Sequence, residues 1–257
     1  MTTLPHSQTA ALIIGGTQGL GLAIAERLMM EGCGQIALAG RDATKGEAAA
    51  AGIGATFVQT DLADPASVIA AVDTAAARMG RVTALVNAGA MTDRGSILET
   101  TPDLWDQMMN TNARGPFFAI QRMAQRAIEA GHEATAVNIL SMVVHCGQSF
   151  LAPYSASKAA LANVTRNAAQ ALKTHRIRVN GINCGWMDTP GEDAVQRRYH
   201  GAGDDWLAQA EAGQPFGMLV KPAHVAGLAS YMLGPGSGVM TGALVDFDQN
   251  IAGAYPE

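Results

Sequence analysis

A hydroxyl, a phenol and an amine stand in the stretch SMVVHCGQSFLAPYSASK at spacings that proton chemistry can use: Ser141, Tyr154 and Lys158. Tyr154 and Lys158 are four apart in an alanine-rich run that reads as a helix opened by Pro153, so both side chains leave one face. The ammonium is expected beside the phenol. A free tyrosine titrates near pH ~10, and an adjacent cation stabilises the phenolate and lowers that value, giving a group that can take or release a proton near neutrality. A surface pair on an amphipathic helix has the same spacing, so these residues need the rest of the chain to decide between the two readings.

The elements that would position them alternate. An apolar run at 9–14 leads into GGTQGLG, and 20–30 then reads as a helix stopped by Gly32. Gly15, Gly19 and Gly21 give the pattern GxxxGxG in a strand-to-helix turn. Glycine admits positive φ and close backbone approach, and the helix N-terminus offers unpaired N–H groups, so a dinucleotide pyrophosphate fits there. A second strand, 35–39, ends in Gly40-Arg41, where an acid would hold the ribose 2′-hydroxyl of NAD. Glycine there removes repulsion against a 2′-phosphate, and the Arg41 guanidinium can pair with one, unless Asp42 ties it up locally. A third strand at 55–59 precedes Asp61-Leu62, where the acid either accepts from the adenine amino group or only caps a turn. A helix over 65–79 and a strand over 81–86 run into Asn87-Ala88-Gly89-Ala90, small residues that leave room for a nucleotide.

Thr101-Pro102-Asp103 starts an apolar-periodic segment reaching Gly131, interrupted by Gly115-Pro116. Pro116 has no N–H, so the Asn112 carbonyl loses its helical partner and is free to hold a water; a kink that only shapes packing is the other reading. Strands at 134–140 and 177–182, a helix at 223–233 and a strand at 243–245 complete the series. Ser141 sits at a strand end, where open parallel sheets bind ligands. About seven strands alternating with helices imply a single α/β domain over residues 1–257, a Rossmann-type doubly wound parallel sheet with helices on both faces.

Composition agrees. The chain has 257 residues, of which 48% are hydrophobic and 15% charged, enough apolar material for one large core. A net charge of −5 without a basic cluster argues against nucleic acid as a partner. Three scattered cysteines without a CxxC indicate neither a disulfide framework nor a metal site, and fit a reducing compartment. The start MTTLPHSQTA lacks signal-peptide character and no apolar run approaches the ~20 residues of a membrane span, so a soluble, cytoplasmic protein is expected.

With the glycine turn, NAGA, Asn112, Ser141 and YSASK in this order, the whole chain resembles the short-chain dehydrogenase/reductase family. That resemblance implies an oxidoreductase moving a hydride between a nicotinamide cofactor and a secondary alcohol or ketone, with Asn112, Ser141, Tyr154 and Lys158 as a catalytic tetrad. Tyr154 would be the general acid/base and Ser141 would position the substrate oxygen. Lys158 would bind the nicotinamide ribose and lower the tyrosine pKa, and Asn112 would anchor a water-mediated proton relay. The cofactor would lie against Gly15, Thr17, Gln18, Gly19, Leu20, Gly21, Arg41, Asp61, Leu62, Asn87, Ala88, Gly89, Tyr154, Lys158, Gly185 and Thr189, with NADP(H) preferred through Gly40-Arg41 and NAD(H) possible.

The chain departs from the family pattern at Val86, where asparagine is usual, at Cys184-Gly185, where PG is usual, and at Val245-Asp246-Phe247-Asp248, where VDGG is common. Cys184 reads as a small buried residue rather than a reactive thiol. A substrate lid is expected at 186–215. Trp186, Tyr199 and His200 there, with His145 and Gln148, form a polar and aromatic set that favours a polyol or sugar-like substrate over a 3-ketoacyl thioester. These residues could equally face solvent on a mobile loop. The tail residues Asp246, Asp248, Gln249 and Tyr255 could reach an active site within an oligomer. The resemblance implies a homotetramer, with the alanine face of 156–172 as one packing surface unless it faces the sheet. A dinucleotide-binding sensor without turnover is the alternative of another class.

Overall fold

In the computed structural model, residues 4–254 are described. Tyr255 lies outside them. Strand β1 (Ala10–Ile14) is AALII, buried along its whole length, as a central strand covered on both faces must be. It is followed by α1 (Gly19–Met30), β2 (Gln35–Gly40), α2 (Ala43–Gly52), β3 (Thr56–Gln59), α3 (Pro65–Met79) and β4 (Ala84–Asn87). Then come α4 (Pro102–Met109), α5 (Gly115–Ala130), β5 (Ala134–Ser141), α6 (Ala152–Leu172), β6 (Ile177–Cys184), α7 (Pro190–His200), α8 (Trp206–Ala212), α9 (Pro222–Leu233) and β7 (Leu244–Phe247). All seven strands are parallel, in the order β3-β2-β1-β4-β5-β6-β7.

Alternation along β1 divides the core in two. Ala10, Leu12 and Ile14 pack with Val68, Val72, Ile120 and Met123 of α3 and α5. Ala11 and Ile13 pack with Ile24, Leu28, Val225 and Met232 of α1 and α9. The alanines of α6 largely serve this core: Ala162 and Ala169 are buried against the sheet side, while Asn163, Arg166, Asn167 and Gln170 face out. The alanine row thus belongs to intramolecular packing.

The structure departs from the sequence expectation in three places. Helix α2 was not foreseen, because Gly46 and Gly52 break its pattern. A Cβ on Gly46 would lie 2.0 Å from the Phe57 ring, so this glycine is what lets α2 close on β3. Asp42 caps α2 by accepting from the Lys45 N–H at 3.0 Å. Secondly, the helix expected from 102 to Gly131 is interrupted by a π turn, Asn110–Arg114, in which the Gly115 N–H reaches the Asn110 carbonyl. Pro116 cannot donate and its ring crowds the preceding turn, so an extra residue is accommodated there. Gly115 also permits contact with the next layer: a Cβ would lie 2.3 Å from the Leu62 carbonyl oxygen. Thirdly, β7 extends through Asp246 to Phe247, so the acids of the tail start within a strand.

His6 joins the N-terminal segment to this frame. It is 1% exposed, with Nδ1 at 3.0 Å from Thr9 Oγ1 and Nε2 at 2.9 Å from Ser230 Oγ. Burial holds its pKa below the ordinary histidine value, the nearby Glu31 opposing this only in part. Folded His6 is therefore neutral where the unfolded chain begins to take up a proton, near pH ~6.5. Its contribution is present above that pH and is lost as pH falls. The melting temperature is expected to drop between about pH 7.5 and 5.5, and to drop less in His6→Ala; equal drops measured by scanning calorimetry would remove His6 as the cause.

Candidate active site

The sheet order reverses between β1 and β4, and a cleft of about 680 Å³ opens at the carboxyl ends of those strands. Of the residues expected to hold a dinucleotide, Gly15, Thr17, Gln18, Gly19, Leu20, Gly21, Arg41, Asp61, Leu62, Ala88, Gly89 and Thr189 line it. The glycines act differently from one another. Gly15 has φ +82° and a Cβ there would lie 2.2 Å from Gly89 N; a Cβ on Gly21 would lie 2.2 Å from the Gly15 carbonyl oxygen. Those two are required by backbone packing. Gly19, φ +53°, meets nothing nearer than Thr189 at 3.6 Å, so its missing side chain leaves open space at the helix start. The first turn of α1 has no side-chain cap, because Gln18 instead accepts from Lys45. An uncapped helix N-terminus beside a glycine without neighbours fits a dinucleotide pyrophosphate.

Arg41 is exposed at the cleft edge, and Asp42 is engaged in capping α2 rather than in tying it up. Asp61 lines the cleft, and its carboxylate accepts from the Ala63 N–H at 3.0 Å, the turn-capping role foreseen for it. Asn87 is different. It is 2% exposed and donates to Asn138 Oδ1 at 2.8 Å, while Asn138 donates to Thr165. Its side chain thus ties β4, β5 and α6 together from inside and does not line the cleft. Gly185 lies outside the cleft lining too; a Cβ there would lie 2.1 Å from Asp248 Oδ1, so the aspartate in place of the usual glycine packs directly on it.

Ser141 ends β5 and pairs in register with Cys184 of β6. Pro153 in the first turn of α6 sets Tyr154 at the helix start and Lys158 one turn on, on the same face. Lys158 is 2% exposed; its ammonium donates to the Ile139 carbonyl at 2.7 Å and lies 5.8 Å from the centre of the Tyr154 ring. Burial lowers the Lys158 pKa to about 8. The expectation that Lys158 lowers the tyrosine pKa is corrected here. Burial raises Tyr154 to about 12, with the Ser141 hydroxyl pulling in the opposite direction. The ammonium is directed at a backbone carbonyl instead of the phenolic oxygen, so desolvation wins and the phenol holds its proton at neutrality.

Asn112 is 1% exposed in the π turn. Its amide bonds Met91 twice, accepting from the N–H and donating to the carbonyl, each at 2.8 Å, and donates to Ser157 Oγ at 3.0 Å. One side chain therefore fixes the loop after β4 against the helix that bears Tyr154. Pro116, four residues on, has no N–H to offer the Asn112 carbonyl.

The segment over the mouth is pinned at its base. Val220 N donates to the Trp186 carbonyl at 2.9 Å, Asp188 N donates to the Val220 carbonyl at 3.0 Å, and Lys221 reaches Asp188 at 2.8 Å and Glu211 at 2.5 Å. Most residues proposed for substrate contact have partners within the chain. Trp186 donates to Glu192 at 2.8 Å, and His145 lies 2.8 Å from Asp246 and 3.2 Å from the Asn183 amide. His200 meets Arg94, the Tyr199 hydroxyl engages Asp93, and Gln148 is exposed. The sequence reading missed Asp93, Arg94 and Phe150. The charged pair two residues past NAGA, just beyond a strand's carboxyl end, was the available signal.

A family model described as short chain dehydrogenase matches residues 9–200. The chain belongs to the short-chain dehydrogenase/reductase family. The NADP-dependent (R)-specific alcohol dehydrogenase of Lentilactobacillus kefiri is 33% identical over 91% of this chain and 92% of the relative. The sorbitol dehydrogenase of Cereibacter sphaeroides is 31% identical over 88% and 90%. A variant of actinorhodin polyketide ketoreductase, solved with NADPH, superposes with a TM-score of 0.86 at 27% identity, over 94% of this chain and 96% of that one. This short-chain dehydrogenase/reductase is an NAD(P)-dependent oxidoreductase acting on alcohol and ketone groups.

Cys184 lies within this site, 7% exposed, and burial raises its thiol to about 12, the Lys158 charge opposing and the Asp248 charge adding. Iodoacetamide at about pH 8 is expected to label the exposed Cys146 and to spare Cys184 and Cys33 in the folded enzyme, as read by peptide mass spectrometry. Prompt labelling of Cys184 would show a reactive thiol instead.

Proposed function

We propose that the enzyme interconverts a ketone and a secondary alcohol with NADP(H) in preference to NAD(H), using Asn112, Ser141, Tyr154 and Lys158. The observation that carries this reading is that Ser141 ends β5 and Tyr154 opens α6 one turn before Lys158, on the sheet whose β1 and β4 ends open the glycine-lined cleft that Arg41 borders. When bound, the nicotinamide supplies or accepts the hydride. Tyr154, protonated at neutrality, donates to the forming alkoxide, and the Ser141 hydroxyl orients the carbonyl oxygen. Lys158 holds the ribose hydroxyls, and the Asn112 carbonyl holds the water that returns a proton. The tetrad supports turnover over a sensor that only binds dinucleotide.

A polyol or sugar-like substrate is the preferred class, supported by the polar mouth and by the likeness to a sorbitol dehydrogenase. Likeness to a polyketide ketoreductase supports a 3-ketoacyl thioester as the second reading. We place the enzyme in the cytoplasm as a homotetramer, with exposed Ile97, Leu98, Trp105 and Phe117 as apolar surface available for assembly. Residues 186–215 serve as the substrate lid.

Tyr154→Phe is expected to lower turnover by about 10²- to 10⁴-fold, the usual share of a general acid, while NADPH affinity changes little. Near-normal turnover would reject the assignment. Because the phenol titrates high, alcohol oxidation should climb between about pH 7 and 10 while ketone reduction does not; parallel profiles would count against Tyr154 as the titrating group.

Arg41→Ala is expected to weaken NADPH more than NADH in fluorescence titrations. Tighter binding of NADH by the wild type would overturn the preference. Gly40→Asp is the less clean probe, since a Cβ there would lie 2.9 Å from the Thr17 methyl and disturb the turn itself.

A further inference from the structure

Arg94, in the loop after β4, carries a charge that no carboxylate answers among the described residues. The neighbouring Asp93 is taken by Arg198 at 3.7 Å, and its charge, after burial, raises the Tyr199 phenol pKa. Arg94 Nη1 donates to the Thr92 carbonyl at 3.1 Å. Its Nε and Nη2 both point at one atom, His200 Nε2, at 3.3 and 3.2 Å. Its guanidinium carbon lies 5.4 Å from the centre of the Phe150 ring. A guanidinium is always charged and only donates, so the shared imidazole nitrogen must accept. Two N–H groups converging on one nitrogen at such lengths are poorly matched. The same edge fits the two oxygens of a carboxylate, which takes both bonds in parallel and at shorter range.

Arg94 belongs to a loop held against the start of the tyrosine helix. Gly95 N donates to the Phe150 carbonyl and Ala152 N to the Gly95 carbonyl, each at 2.9 Å, so the residue after Arg94 is bridged to the chain immediately before Tyr154. A Cβ on Gly95 would lie only 3.1 Å from Pro153, which shows how closely the loop approaches the start of α6. Thr92, Asp93 and Arg198 line the dinucleotide cleft, whereas Arg94 does not. Arg94 therefore stands outside the cleft, and the Tyr154 phenol registers it as a nearby cation. Glu192, the acid that the phenol also registers, accepts from Trp186 at 2.8 Å and Gln196 at 2.7 Å, so its charge is already hydrogen-bonded.

We propose that Arg94 is a specificity-determining residue that holds a carboxylate of the substrate, so that hydroxy acids and their keto acids are preferred over neutral alcohols and ketones. This rests on the oxidoreductase reading above and selects, among polyol or sugar-like substrates, those that also bear a carboxylate. The carboxylate takes the guanidinium edge now facing His200, and the lid helix α7, which bears His200 at its end, closes over the occupied pair.

The test uses the wild-type enzyme with NADPH and paired probes that differ only in charge: acetoacetate and acetoacetamide, 4-oxopentanoate and 4-oxopentanamide, 4-oxocyclohexanecarboxylate and its amide. At least one acid should exceed its amide in kcat/KM by about tenfold to a hundredfold, the range a hydrogen bond to a charged group commonly supplies. Added salt should lower that ratio. Arg94→Gln should bring the ratio close to one, chiefly through KM, and Arg94→Lys should restore part of it. A folding defect would depress acid and amide together and leave the ratio unchanged. A wild-type ratio at or below one in every pair, or an undiminished ratio in Arg94→Gln, overturns the proposal. If no ketone or alcohol is turned over, the oxidoreductase reading fails separately. Calorimetric titration of the same acids and amides into NADP-saturated protein then decides Arg94: acid-selective binding lost in Arg94→Gln upholds it, and equal binding of acid and amide overturns it.

Discussion

The Ile14 carbonyl accepts from both Ala88 N and Gly89 N at 2.9 Å, and everything functional in the molecule follows from that close approach. It joins the turn after β1 to the turn after β4 at the point where the sheet changes direction. A side chain on Gly15 would enter the Ala88-Gly89 backbone, so the junction exists only with glycine. Because the two turns are held backbone to backbone, the helices leaving them diverge, and the divergence is the cleft. Leu62 and Gly115 seal its floor from the neighbouring layer, and the π turn then brings Asn112 back to Met91 in the same loop.

Around this junction the chain buries the Lys158 ammonium beside the half-buried Tyr154 phenol. Lys158 meets a carbonyl, which satisfies one of its three donors, and its lowered pKa reflects the incomplete compensation. Tyr154 is shifted the other way by the same desolvation. Burial thus drives two adjacent groups toward their neutral forms, and each gains from any cofactor or substrate group that supplies the missing hydrogen bonds or charge. The phenol, held protonated at neutrality, makes the site an acid in its resting state.

Much of the framework was legible because periodicity reports burial. The all-apolar run before GGTQGLG could only be a central strand, and Pro65 to Met79 carried its cap, its proline and its apolar stripe in sequence. What was not legible depended on contacts distant along the chain. Helix α2 was hidden because Gly46 is explained only by the Phe57 ring. Asn87 read as a cofactor contact because its type suits a turn, yet its amide is spent on Asn138, 51 residues away. Trp186 and His145 read as substrate groups because nothing in sequence says that Trp186 will find Glu192 or that His145 will find Asp246. Spacing gave the positions of Tyr154 and Lys158 correctly. The sign of the tyrosine shift depended on where the ammonium points, which spacing does not contain.

Gln249 closes the chain upon itself. Its side-chain oxygen accepts from Phe216 N at 3.0 Å and its amide donates to the Met218 carbonyl at 2.8 Å, so one residue after β7 holds both sides of the turn at 216–218 that leads from α8 to Val220. Because residues 216–218 and 249 are far apart in the chain, the position of the segment before Val220 is set by the stretch after β7, and slack in one is transmitted to the other.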